Sequence, residues 1–264
     1  MKIGVVGFGF VGQAVYASID QKIDEDELSI METPQIIVYD KYKEGMNTNI
    51  IQNNILKCDY IFACLPTVEM EDGKQDFSAF EDFFEMISGF RGIVIVKSTV
   101  IYEYIQPYFE KFNIVMNPEF LNANTAFDDF ENEKVVVLGG RADHLMKVKN
   151  LYKTTFNKEH VKFELCSHED AINLKYFHNV YHAYKVLFWN FCEEMTGNQR
   201  KVFQLYSKIR GCKESDEMAR INADGKSGYG GACFPKDVNA YNFVHNHELT
   251  NFMKAYNDRI RNSK

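Results

Sequence analysis

The sequence is poor in proline, in positive charge and in long apolar runs, and each shortage excludes something. Five prolines in 264 residues, with no low-complexity tract, argue against disorder. Lys and Arg number 30 against 37 Asp and Glu, giving a formal net charge of −7. A nucleic-acid surface needs a basic patch, and the balance here runs the other way. No apolar run approaches the roughly 18 to 20 residues that span a bilayer. The opening Met1-Lys2-Ile3-Gly4-Val5-Val6-Gly7 is too short in its apolar part for a secretory leader. A cytoplasmic protein with no membrane partner is the expectation. The six cysteines form no Cys-x-x-Cys pair, which fits neither a zinc site nor a compact disulfide framework. Reduced thiols and no metal are expected.

What is present suffices for two domains: 264 residues, with hydrophobic and charged fractions ordinary for globular proteins. The densest chemistry lies in Gly228-Tyr-Gly-Gly-Ala-Cys-Phe-Pro-Lys-Asp237. Its glycines permit positive φ and close backbone approach. Cys233 follows them, with Lys236 and Asp237 within four residues. A buried structural thiol is one reading. A thiol in a glycine loop beside a cation is also how a thiolate nucleophile is made, and the flanking chemistry favours that second reading.

Lys2 to Val6 reads as a buried strand, followed by Gly7-Phe8-Gly9-Phe10-Val11-Gly12 and a helical stretch. G-x-G-x-x-G between strand and helix is a dinucleotide fingerprint. Gly7 makes the turn, Gly9 admits a pyrophosphate and Gly12 lets helix and strand pack. The helix N-terminus supplies N–H groups for phosphate. After an acidic insertion at 24–27, a second strand over 36–39 ends at Asp40. An acid there accepts from ribose hydroxyls and repels a 2′-phosphate, which argues for NAD over NADP, although Lys41 and Lys43 keep NADP open. Further strands are expected over 59–65, 92–96, 113–116, 134–138 and 161–165, with helices over 77–87 and 143–156. Strands alternating with helices predict an α/β, Rossmann-type, doubly wound and mostly parallel sheet. Pro66-Thr67, Thr99 and Glu119 fall just past strand ends, where such sheets bind ligands.

Beyond Cys166 the pattern becomes helical. Ser167 or His168 can cap a helix running to about Met195, Gly197 ends it, and further helices are expected over 199–209, 238–245 and 248–260. The chain therefore divides into a dinucleotide-binding domain at 1–166 and a small all-α domain at 167–264. An aromatic stripe (Tyr176, Phe177, Tyr181, Tyr184, Phe188) fits a core or a dimer interface. Lys175 and Asn179 are four apart and share a helix face. His178 and His182 do too, but no nearby Glu or Cys completes a metal set.

Six blocks, in order, resemble the UDP-glucose/GDP-mannose (nucleotide-sugar) dehydrogenases: Gly7–Gly12, Lys97–Val100, Asn117–Leu121, the Glu169/Lys175/Asn179 helix, Arg220-Ile221 and Gly228–Asp237. The resemblance implies NAD-dependent oxidation of a sugar primary alcohol to a uronic acid, a polysaccharide precursor, in two hydride transfers. Cys233 would carry the thiohemiacetal and thioester between them. Lys175 and Asn179 would stabilise the oxyanion, and Asp237 would act as base or orient a water, with Thr99 and Glu119 in its network. The cofactor would contact Gly7, Gly9, Phe10, Val11, Gly12, Asp40, Pro66, Thr67, Thr99 and Lys236. The substrate would contact Glu119, Phe120, Leu121, Lys175, Asn179, Arg220 and Gly230. A homodimer through the helical domain is implied as well. Three departures are visible. Family members continue into a third, nucleotide-binding domain that this sequence does not include. Val68 stands where the family often has proline, and Ala123 where it has an acid. Other readings stay open: a cofactor-binding subunit or inactive homologue without turnover, and a single-step 3-hydroxyacid-type dehydrogenase, which would need no thiol.

Overall fold

The computed structural model describes residues 1–24, 33–210 and 226–262; Glu25–Glu27 of the acidic insertion, Cys212 and Arg220 lie outside the described residues. Among the described residues, seven strands form one sheet: β1 (Lys2–Val6), β2 (Gln35–Tyr39), β3 (Tyr60–Ala63), β4 (Ile93–Val96), β5 (Asn113–Met116), β6 (Val135–Gly140) and β7 (Lys162–Cys166). Their order is β2-β1-β3-β4-β5-β6-β7, and every pairing is parallel except β5 with β6. The central strands are continuous apolar runs because both faces are covered, so no polar alternation is possible. Chain order reverses between β1 and β3, which opens a crevice beyond their carboxyl ends.

Helices α1 (Phe10–Asp24), α2 (Asn49–Ile55), α3 (Ser78–Met86), α4 (Tyr102–Ile105), α5 (Ala126–Glu131) and α6 (Ala142–Thr155) flank the sheet. Phe80, Phe83, Phe84 and Ile87, at i, i+3, i+4 and i+7, are all buried. The main core joins Ile3, Val5, Phe62, Ile95 and Val115 of the strands to Val148 and Tyr152 of α6. Phe62 packs edge-on against Tyr152 and Phe156, with ring centroids 6.4 and 5.8 Å apart. One polar chain crosses this core. The Lys97 ammonium, fully buried past the end of β4, donates to Asn117 Oδ1 at 3.0 Å; Tyr152 donates to the same oxygen at 2.5 Å. Asn117 in turn donates to the Val137 carbonyl at 2.9 Å. This fixes the turn after β5, and with it the backbone that presents Glu119.

Helix α7 (His168–Thr196) follows β7. Ser167 is its cap, accepting the Asp170 N–H at 3.0 Å and donating to the Asp170 carboxylate at 2.7 Å. The chain forms two compact units, Met1–Thr67 with Asp76–Lys175, and Val68–Gln75 with Tyr176–Lys264. In the second unit, the part of α7 from Tyr176 onward is joined by α8 (Gln199–Arg210), α9 (Phe234–His245) and α10 (Glu248–Asn262). Ala183, Leu187, Tyr229, Val238, Met253 and Ile260 form its core. Residues 68–75 are tied to that unit by Asn239 donating to Glu69 at 2.6 Å and Gln75 donating to the Tyr176 hydroxyl at 2.9 Å. The sequence places the start of α9 at Val238, but it begins at Phe234. Pro235 sits in the first turn, where its missing N–H costs nothing. Lys236 and Asp237 are therefore helical residues.

Candidate active site

The glycine turn is built for close approach. Gly7 has φ +88°, and a Cβ there would lie 2.3 Å from the Cys64 carbonyl oxygen. A Cβ on Gly12 would lie 2.1 Å from the Gly7 carbonyl oxygen, so α1 can start here only with glycine at that position. Gly9 differs, since a Cβ on it would meet nothing within 4 Å. That space is where a ligand can reach the backbone, beside Phe10 and Val11 in the first turn of α1.

Asp40 follows β2. Its carboxylate accepts the Phe8 N–H at 2.7 Å and the Tyr42 N–H at 2.9 Å, which binds the end of β2 to the glycine turn. A cavity of about 220 Å³ adjoins it, lined by Gly7, Asp40, Lys41, Leu65, Pro66 and Asp82 among others. Lys43 donates to the Phe8 carbonyl at 2.7 Å, and Lys41 donates to Asp82 at 2.6 Å. Hydrogen bonding to Asp82 raises the Lys41 ammonium above its ordinary range. An acid at the strand end, an open glycine turn and a cavity beside both fit the adenosine and pyrophosphate of a dinucleotide. Cys64 lies next to this turn, but burial pushes its thiol up to about 12, which keeps it protonated and unreactive.

Thr67 and Thr99 are buried beyond β3 and β4. Glu119 is buried as well. It accepts the Leu121 N–H at 2.6 Å, and its other oxygen lies 3.6 Å from the buried Lys175 ammonium. That ammonium stands 5.1 Å from the centre of the half-exposed Phe120 ring. Thus Glu119, Phe120, Leu121 and Lys175 form one cluster, all in the first unit.

The other cluster belongs to the second unit. Cys233 is exposed and immediately precedes α9. Asp237, one turn on, is only 1% exposed, and both its carboxylate oxygens are engaged. One accepts from Asn179 at 2.5 Å and the other pairs with Lys236 at 2.5 Å. The loop before Cys233 hangs on two buried asparagines. Asn190 Oδ1 accepts the Gly228 N–H at 3.2 Å and Asn257 Oδ1 accepts the Tyr229 N–H at 2.8 Å. A side chain at Gly228 would strike Asn257 Oδ1 at 2.5 Å, and one at Gly230 would strike the Arg261 guanidinium at 2.8 Å. Neither asparagine is visible as a site residue in the sequence. Asn190 does lie 11 residues after Asn179, three helical turns on the same face, and that spacing is the signal for it.

His178 and His182 adjoin one another, ring centroids 4.3 Å apart, and His182 faces the Phe234 ring at 6.3 Å. Among the described residues no group of three or more His, Cys, Asp or Glu could hold a metal ion, and no helix is long and apolar enough to cross a membrane. Tyr176 of the aromatic stripe is buried, whereas Phe177, Tyr181, Tyr184 and Phe188 are exposed.

Comparison with known proteins bears on both units. Residues 1–156 match the model of the UDP-glucose/GDP-mannose dehydrogenase family, NAD binding domain. A UDP-glucose 6-dehydrogenase of Rickettsia felis is 26% identical over 283 residues, covering 94% of this chain and 62% of its own. The chain thus spans less than two thirds of that relative. The structure of a UDP-glucose dehydrogenase from Pyrobaculum islandicum superposes with TM-score 0.78 at 18% identity, over 98% of this chain and 68% of that one. A 3-hydroxyisobutyrate dehydrogenase from Mycobacterium tuberculosis shares the fold at TM-score 0.69 and 13% identity, covering 98% of this chain and 93% of that one.

The glycine geometry yields a paired test. Gly9→Ala enters open space, so its thermal midpoint should stay within about 2 °C of wild type. Its dinucleotide affinity, read by titration calorimetry, should fall about tenfold or more. Gly12→Ala should lower the midpoint by several degrees, since its Cβ overlaps backbone. Equal effects of the two on stability would contradict the assignment.

Proposed function

Because the chain belongs to the UDP-glucose/GDP-mannose dehydrogenase family and carries its NAD-binding domain over residues 1–156, we propose that it oxidises the primary alcohol of a nucleotide sugar to a carboxylate in two steps, with Cys233 holding the intermediate. The carrying observation is the exposed Cys233 at the start of α9, one turn before Asp237, which is buried with Asn179 and paired with Lys236. NAD, when bound, supplies the two-electron acceptor for both oxidations, one molecule for each.

After the first oxidation the Cys233 sulfur adds to the aldehyde carbon as the C=O π bond opens, and the proton lost from the thiol is balanced by one that the carbonyl oxygen takes up to become a hydroxyl. Negative charge on sulfur is favoured at the positive end of the twelve-residue α9. The thiohemiacetal turns the aldehyde C–H into a carbinol C–H, and the second oxidation removes that hydrogen as hydride and the hydroxyl hydrogen as a proton, leaving a thioester. Water attacks the thioester carbon, the C–S bond breaks and the thiolate is regenerated with the carboxylate product. Asp237, with one oxygen taken by Asn179, fixes the orientation of that amide. The second amide N–H of Asn179 then serves the substrate oxygen. By family resemblance Lys175 would supply positive charge for an oxyanion, and Glu119 lies 3.6 Å from its ammonium. Thr99, Phe120, Leu121, Gly230 and Arg220 complete the proposed substrate contacts; Lys236, Pro66 and Thr67 complete those of the cofactor. Arg220 enters by family resemblance alone.

Incubation with UDP-glucose or GDP-mannose and NAD should release two NADH per acid formed. Cys233→Ser should stop after one, leaving an aldehyde that hydrazine traps. One NADH per product in the wild type would remove the two-step scheme in favour of a single-step dehydrogenase. NAD binding without NADH from either sugar nucleotide would remove the enzymatic reading.

A homodimer through α7 belongs to the same proposal. Phe177, Tyr181, Tyr184, Phe188, Phe191 and Met195 are 41–68% exposed and recur every three or four residues, a seam of heptad spacing. Light scattering at micromolar concentration should give twice the chain mass, reduced to one by Tyr184→Glu with Phe188→Glu. A monomeric wild type would contradict it.

A further inference from the structure

Two cations, Lys41 and Lys43, directly follow the acid that reads the adenosine ribose. By position either one could receive a 2′-phosphate, so the sequence is ambiguous between NAD and NADP. The structure gives each lysine another partner. Lys43 donates to the Phe8 carbonyl at 2.7 Å and stands 5.0 Å from the centre of the Phe8 ring, which ties it to the glycine turn. Lys41 reaches across to α3 and donates to Asp82 at 2.6 Å. Asp40, Lys41 and Asp82 all line the same 220 Å³ cavity.

We propose that Asp82 is a further cofactor-specificity residue: it holds Lys41 away from the ribose position and sets a second carboxylate beside Asp40, so that a cofactor bearing a 2′-phosphate is refused. The proposal rests on reading the cavity as the adenosine site. Two effects act in the same direction. A lysine committed to a carboxylate is withheld from phosphate, and the carboxylate itself repels phosphate across the cavity. The pair is 55% and 56% exposed in its side chains, so it contributes little to folding. Its worth lies in where it directs charge, and a substitution at Asp82 tests ligand choice without unfolding the domain.

The experiment measures the dissociation constants of NAD and NADP for the intact chain by titration calorimetry at low salt. Wild type should prefer NAD. In Asp82→Ala, the ratio of the NADP constant to the NAD constant should fall about tenfold, because Lys41 becomes available to phosphate and one repulsion is gone. Adding Lys41→Met to Asp82→Ala should reverse most of that fall, and Asp82→Glu should retain the wild-type ratio. The tenfold change should shrink at 0.5 M salt, as expected for exposed charges. An unchanged ratio in Asp82→Ala, or a gain that survives Lys41→Met, overturns the proposal while the adenosine site stands. Wild type binding neither dinucleotide overturns the adenosine reading and the proposal together.

Discussion

The first unit depends on how closely two backbone segments approach at its glycine turn. Gly7 passes so near the Cys64 carbonyl, and Gly12 so near the Gly7 carbonyl, that neither tolerates a Cβ. This steric constraint joins β1, the end of β3 and the start of α1 at the point where strand order reverses. Asp40 adds the end of β2 by accepting the Phe8 N–H. The cavity beside it, and the exclusion of side chains above Gly9, follow from that geometry.

The same economy holds the second unit's loop. Two asparagines from different helices accept its N–H groups, so buried bonds as well as the loop's glycines position the backbone before Cys233. Asp237 is buried with both oxygens satisfied, which removes the cost of an unpaired charge. An exposed thiol thus stands at the start of a helix whose first turn is fixed from within. Cys58 and Cys64 near the sheet are the opposite case: desolvation drives their thiols up to about 12. Position, more than residue type, separates the exposed thiol from the desolvated ones.

Much of this was legible in the sequence. The strands showed because both faces are covered, leaving unbroken apolar runs bounded by polar residues, and the glycine fingerprint showed because it sits between strand and helix. The helices α2, α4 and α5 did not show: with 7, 4 and 6 residues, they are too short for a periodic pattern. The start of α9 at Phe234 did not show, because a proline in a helix's first turn carries no periodic signal. Lys41 read as a candidate phosphate ligand because its partner lies 41 residues away, and no local pattern reports that pairing. Glu119 and Asp237 could be named from motifs, but their partners Lys175 and Asn179, adjacent on one helix, divide between two clusters that only coordinates reveal.

The central claim is that Cys233 carries the substrate between two oxidations. Its most direct test is rapid chemical quench of the protein mixed with UDP-glucose and NAD, followed by peptide mass spectrometry. The account predicts a transient acyl adduct on the Cys233 peptide, formed with the first NADH and gone when substrate is exhausted. Steady NADH production with an unmodified Cys233 at every time point would contradict it.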